Sequence, residues 1–228
     1  MRSHKALFSI SGVFFLLILF VPVLMGQEAV KASIRHGSIY FFLVSFLLLV
    51  GALFQVMKKQ GDFRKLLFPA FFSLVFTALV FISSPPSFKI FSDESNIVNT
   101  SYSLSADKKA QIAHSKIFYK DEVVSLEDYG IPARPMTTAF FTSIIHTLLG
   151  YDLENVFILN VFLFFMSFIL IFFILQQWFT IRLCLILASA FLYSPIYVFS
   201  FGSGGLEAAF IFFFLFFVFS AQKLLAAR

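Results

Sequence analysis

The sequence predicts an all-α fold: a polytopic transmembrane helical bundle of about six spans, with a large extracytoplasmic loop and an amphipathic interfacial helix. Three observations carry this. Of the 228 residues, 60% are hydrophobic and only 13% charged, against about 25% charged in an ordinary soluble domain. The apolar residues gather in runs close to the roughly 20 that a helix needs to cross hydrocarbon while satisfying its own backbone. The basic residues stand in short clusters at the ends of those runs, the mark of membrane topology.

The expected spans are Ala6 to Met25, Ile39 to Met57, Leu66 to Ser83, Val156 to Leu175, Ile181 to Phe199 and Leu206 to Ser220. The first resembles a signal peptide in its basic start and its apolar centre, but its apolar run is longer than an h-region, which favours an uncleaved helix. Phe, Leu, Ile and Val fill the spans on all faces, so charge must orient them. Arg2 and Lys5 precede the first span, Lys58, Lys59, Arg64 and Lys65 separate the second from the third, Arg182 opens the fifth, and Lys223 and Arg228 follow the sixth. All share one side if the spans alternate, with Lys31 and Arg35 dissenting. The positive-inside rule then places both termini in the cytoplasm and residues 27–38, 85–155 and 200–205 outside. The chain divides into an N-terminal hairpin with its cytoplasmic loop, 1–65, and a second transmembrane module, 66–228, which carries the outer loop 85–155. The net charge of +5 belongs to this pattern and not to a nucleic-acid face. Cys184, the lone cysteine, sits in an apolar run and reads as a buried structural thiol.

The outer loop is the polar stretch large enough for chemistry. It holds Asp93, Glu94, Asp107, Asp121, Glu122, Glu127 and Asp128. Ala106 to Ile117 is expected as a short surface helix and Tyr129-Gly130-Ile131-Pro132 as a turn. After Arg134-Pro135, Phe140, Phe141, Ile144, Ile145, Leu148 and Leu149 recur at helical spacing, with Thr138, Thr142 and His146 on the other face. This predicts an amphipathic helix lying in the interface, ended by Gly150. Asn155 and Asn160 are expected to pack their span through interhelical hydrogen bonds, and Asn99-Thr100-Ser101 is a sequon expected to be accessible.

Zinc, P-loop, dinucleotide and nucleophile-elbow motifs are absent, so the site is argued from position. Asp93 and Glu94 stand just beyond the third span after Pro85-Pro86. Adjacent carboxylates there suit a general base or a divalent cation; a solvated turn is the plain alternative. Arg134 suits bidentate phosphate recognition or a snorkelling anchor. His146 can reach a ligand from its helix or sit half-buried, and Glu207 opens a span where an acid at a helix N-terminus is favourable in itself.

The order of these features, a span, an outer loop opening with Asp93-Glu94, a return through Arg134-Pro135, an amphipathic helix ending at Gly150 and a span starting near Glu154-Asn155, resembles the N-terminal module of GT-C class polytopic glycosyltransferases. These include protein O-mannosyltransferases and aminoarabinose transferases. Ser194-Pro195-Ile196-Tyr197 and Ser203-Gly204-Gly205-Leu206-Glu207 extend the resemblance, which covers roughly residues 66–220. It implies transfer of a sugar from a polyprenyl-phosphate donor to an acceptor on the extracytoplasmic face of a bacterial plasma (inner) membrane, with membrane lipid and the lipid-linked sugar as partners and no nucleic acid. It also implies Asp93 as catalytic base, Glu94 as its substitute or a metal ligand, and Arg134 on the donor phosphate; His146, from the polar face of its helix, and Glu207 are expected to join it in binding substrate. The chain differs in having two spans before the one that leads into Asp93. A truncated or non-catalytic subunit that binds lipid-linked sugar is the alternative; a transporter ranks last, since the spans lack central ionisable residues.

Overall fold

The structure, a computed structural model, describes residues 27–60, 64–89, 91–113, 116–119, 122–125, 129–130, 132 and 135–226. The expected first span, Ala6 to Met25, and Arg134 lie outside them.

The helices are α1 (Gln27–Gln60), α2 (Arg64–Ser83), α3 (Phe91–Ala106), α4 (Thr137–Leu149), α5 (Asn155–Leu175), α6 (Ile181–Leu192), α7 (Pro195–Gly202) and α8 (Glu207–Ala226). Four short strands stand between α3 and α4: β1 (Ile112–Ala113), β2 (Lys116–Tyr119), β3 (Glu122–Ser125) and β4 (Tyr129–Gly130). Among the described residues, two helical segments, Leu66–Ser83 and Asn155–Leu175, are long and apolar enough to cross a membrane. The bent pair α6 and α7 makes a third if counted as one span. These apolar helices are those of a membrane protein, with two to three spans on length and composition among the described residues, where about six are expected of the whole chain.

Several expectations are corrected, each for a physical reason. Residues 27–38 are not a loop but the opening turns of the 34-residue α1; no proline interrupts them, and Glu28 pairs with Lys31 one turn on at 2.8 Å. The helix expected over 106–117 is displaced toward the N-terminus. It starts at Phe91, where Asp93 and Glu94 occupy the first turn and complement the free N–H groups of the helix end. It stops at Ala106, just before Lys108 adopts a positive φ of 56°. The chain beyond Gln111 is rich in β-branched and aromatic residues, and it forms two antiparallel ribbons. β2 pairs with β3. Tyr129 and Gly130, expected in a turn, instead pair with Ala113 and Ile112. The all-α prediction therefore holds for the apolar part of the chain but not for this loop.

The expected span from Ile181 to Phe199 is broken, with α6 and α7 meeting at 66°. Pro195 causes this: it lacks the N–H that a continuing helix would use, and it drives the preceding Ser194 into extended backbone, φ −61° and ψ 143°.

α5 is the hub, packing against α2, α4, α6, α7 and α8. It is apolar on all faces, as a helix enclosed by others should be. Phe164 and Phe168 are fully buried and pack on Phe76 at ring-centre distances of 6.0 and 5.4 Å, while Phe201 of α7 meets Phe164 edge-on at 5.2 Å. Ser73 of α2 donates its hydroxyl to the Phe165 carbonyl at 2.8 Å. Cys184 is buried and uncrosslinked, as expected. A second core joins α3 to α4 through Ile97, Val98, Leu104, Ala139 and Phe140.

Lipid is as apolar as a phenylalanine, so contact between helices is stabilised by close packing rather than by escape from water. Phe164→Ala is therefore expected to destabilise the protein by about 3–5 kcal/mol, whereas Phe162→Ala, on the exposed side of the same helix, stays within about 0.5 kcal/mol. Thermal unfolding of both variants in one membrane mimetic checks this; equal losses would remove α5 from the centre of the packing.

Candidate functional site

Two stretches distant in sequence, 84–94 and 202–207, meet at one end of the apolar helices. Ser87 donates its backbone N–H to the Gly202 carbonyl at 2.9 Å, which lays the α2–α3 connection alongside the end of α7. Glu94 closes the joint. Its side chain is buried, and Oε1 accepts the N–H of Gly204 at 2.6 Å while Oε2 accepts the N–H of Lys89 at 2.7 Å. Removing a carboxylate from water costs several kcal/mol unless its oxygens find donors. Two backbone donors and the N-terminal turn of α3 supply that compensation.

The approach needs glycine at 204. A Cβ there would meet the Phe88 ring at 2.9 Å and Glu94 Oε1 at 3.3 Å. At Gly205 the carboxylate of Glu207 folds over the place a side chain would fill. The loop is tied from a third side by Asn160 of α5, whose Nδ2 donates to the Ser203 carbonyl at 2.5 Å. Asp93 is half-buried beside this joint, and Glu207 is exposed at the start of α8.

His146 belongs to a second cluster. It is buried and bonded through both ring nitrogens. Asn155 Nδ2 donates to the Gly150 carbonyl at 2.8 Å and to His146 Nδ1 at 2.8 Å. The Gly150 carbonyl fixes which way the amide points, and the amide then fixes the tautomer: Nδ1 accepts, so Nε2 carries the proton. Nε2 donates to Ser101 Oγ at 3.0 Å, and that hydroxyl donates to the Val98 carbonyl at 2.8 Å. The neutral ring is thus fully satisfied. Burial holds its pKa below the usual histidine value, with the nearby Asp152 carboxylate opposing the shift.

The polar side of α4 is turned into the protein. Thr138, Thr142 and His146 face inward, toward α3 and the start of α5, while Leu148 and Leu149 are exposed. On this face His146 finds a partner in the Ser101 hydroxyl of α3, whereas the Thr142 hydroxyl is buried without a hydrogen-bond partner among the described residues. Gly150 ends α4 as expected, with φ 91° and ψ 163°, a backbone region open to glycine alone. In the sequon the acceptor Asn99 is exposed, while Thr100 and Ser101 are buried and the Ser101 hydroxyl is bound to His146.

Of the expected site residues, then, Glu94 and Glu207 meet at the 202–207 loop, with Asp93 next to Glu94 in the first turn of α3. His146 lies apart, contacting Ser101, about 10 Å further along α3. Ser101, Tyr151 and the backbone donors of Lys89 and Gly204 were not foreseen; only the Gly204-Gly205 pair hints at close approach. Among the described residues, no group of three or more His, Cys, Asp or Glu side chains is placed to hold a metal ion. The chain matches no family model, and no curated protein or solved structure matches it.

Glu94→Gln leaves an amide N–H facing a backbone N–H and is expected to destabilise the joint by about 1–3 kcal/mol, read as a lower unfolding midpoint. The lowered His146 pKa means that the unfolded chain takes up a proton more readily than the fold. Stability is complete above the ordinary value of 6.5 and is lost as pH falls below it toward the lowered pKa. The wild-type midpoint should thus drop as the pH is taken below 6.5, and His146→Gln should flatten that slope; an undiminished slope in the variant would assign it to another group.

Proposed function

We propose that this chain is a membrane-embedded transferase of the GT-C type, moving a sugar from a polyprenyl-phosphate donor to a hydroxyl-bearing acceptor at the extracytoplasmic surface. The observation that carries this reading is the Glu94–Gly204 bond, which unites the two stretches on which the family resemblance rests although they lie 110 residues apart. Beside the joint runs an apolar groove of about 440 Å³, lined among others by Phe42, Phe140, Phe141, Leu206, Phe210 and Phe213. Its walls suit a long isoprenoid chain, and Leu206 links it to Glu207.

The roles divide between the two neighbouring acids. Glu94 has both oxygens engaged by backbone donors, so it shapes the site. Asp93 then serves as the base: it takes the proton of the acceptor hydroxyl, the alkoxide oxygen attacks the anomeric carbon, and the lipid phosphate leaves with the electron pair of the broken C–O bond. Glu207 contacts donor or acceptor from the start of α8. Arg134 would meet the phosphate, and a divalent cation would assist its departure if one binds.

The commitment of Glu94 and His146 to internal hydrogen bonds favours one second reading, a subunit that holds a lipid-linked sugar for a catalytic partner. Asp93→Asn separates the two. If Asp93 is the base, sugar transfer in proteoliposomes falls by about 10²- to 10⁴-fold while expression and insertion are unchanged. Transfer at the wild-type rate would reject the base and leave the binding subunit.

A further inference from the structure

α3 presents distinct faces. Ser95, Asn99 and Tyr102, spaced by four and three residues, share one side, whereas Asp93, Ile97 and Thr100 share another. The first side borders a cleft of about 270 Å³, separate from the apolar groove, whose lining includes Phe88, Glu94, Ser95, Asn99, Tyr151 and Leu153. Its size lies just under the roughly 300 Å³ at which pockets for drug-sized ligands begin, which suits a single ring.

The two aromatic rings of the cleft are partly exposed, Phe88 by 36% and Tyr151 by 51%, yet both are held in place. Phe88 packs on Phe157 at 4.8 Å and against Gly204. Tyr151 meets Tyr102 edge-on at 4.8 Å and lies 4.9 Å from the His146 ring. Burial pushes the Tyr151 hydroxyl above the usual phenol value, reinforced by Tyr102 and Asp152, so it stays a neutral donor. Asn99 is exposed and carries a planar donor and acceptor side by side.

We infer that this cleft binds a neutral saccharide ring: its C–H faces lie against Phe88 and Tyr151, and its paired hydroxyls are read by the Asn99 amide and the Ser95 and Tyr151 hydroxyls. An anion is disfavoured by the Glu94 carboxylate and by Asp152 nearby. The charge of Glu94 is in turn engaged by the Lys89 and Gly204 N–H groups, which weakens any preference for a cation. The site goes beyond the transferase reading and does not depend on Asp93. The sugar can belong to a free glycan or to a glycolipid headgroup, since the recognised chemistry is the same.

The test uses the purified full chain in phosphatidylcholine nanodiscs free of glycosidic detergent. One arm titrates methyl glycosides of glucose, galactose, mannose and N-acetylglucosamine by saturation-transfer NMR. The other arm incorporates a glucosyl diacylglycerol and observes its ring protons. Saturation transfer in either arm, weakened about tenfold by Asn99→Ala and lost in Tyr151→Leu, supports the site; the arm that responds identifies the source. Asn99→Ala alters only an exposed side chain, so its effect is not one of folding. No transfer to any sugar in either arm, equal binding by both variants, or occupation by choline in preference to every sugar would overturn it. Because binding and not transfer is measured, failure here is distinct from failure of Asp93 as the base.

Discussion

Backbone that leaves a helix at an apolar surface must find partners for its N–H groups, and the carboxylate of Glu94 meets that demand at the one place where two connections converge. The 84–89 segment and the 203–205 loop each expose donors that lipid cannot satisfy. Glu94 takes one donor from each, at 2.7 and 2.6 Å. A neutral side chain of the same length could accept only one of them well. The charge is stabilised in return by the first turn of α3, so the helix start, the joint and the glycine at 204 are one arrangement seen from three sides. Were Gly204 to carry a side chain, Phe88 and Glu94 would have to move together, and the connection between α2 and α3 would separate from α7.

The same constraint explains why polarity points inward in this part of the molecule. The histidine of α4 would turn to water if the protein offered it no partner. α3 instead supplies Ser101, and the corner leading into α5 supplies Asn155, so His146 is satisfied inside the protein. With its polar side committed, the helix turns Leu148 and Leu149 outward. Asn155 and Asn160 occupy the first half of α5 for a related reason: a polar side chain within an apolar helix is retained where a neighbouring carbonyl, here that of Gly150 or Ser203, lacks a donor.

Helix existence in the apolar regions was legible because a run of about 20 apolar residues has few alternatives. Leu66 to Ser83 and Val156 to Leu175 were read within two residues of their observed limits. The interhelical roles of Asn155 and Asn160, the burial of Cys184 and the stop at Gly150 were legible for the same local reasons. The features that escaped are those decided by distant partners. The break at Pro195 could have been read from proline chemistry alone, but an apolar run on both sides concealed it. The burial of the polar face of α4 depends on neighbours such as Ser101 of α3, and the strand pairings between α3 and α4 join residues well separated along the chain. For the candidate site, the sequence draws attention to the acidic dipeptide, yet nothing local distinguishes Asp93 from Glu94. Only the position of Gly204, far along the chain, makes Glu94 the buried one.

α3 is thereby fixed at two points of one face. Glu94 and Ser101 are seven residues apart, about two turns of helix, so their side chains leave α3 in nearly the same direction about 10 Å apart. A single attachment would let the helix roll about its axis or tilt. Two attachments on one face, a carboxylate to Gly204 and a hydroxyl to His146, oppose both motions. The angular positions of the remaining faces then follow from the helix itself: the side carrying Asp93 looks one way, and the side carrying Ser95 and Asn99 looks another. A helix pinned in this manner can keep two surfaces of different chemistry in constant relation, one that starts at Asp93 and packs Ile97 into the core shared with α4, and one toward the aromatic cleft. Loosening either pin would disturb both surfaces together, which is why the buried tethers matter beyond their own bonds: Glu94 lines the aromatic cleft itself, and His146 lies against its Tyr151 ring.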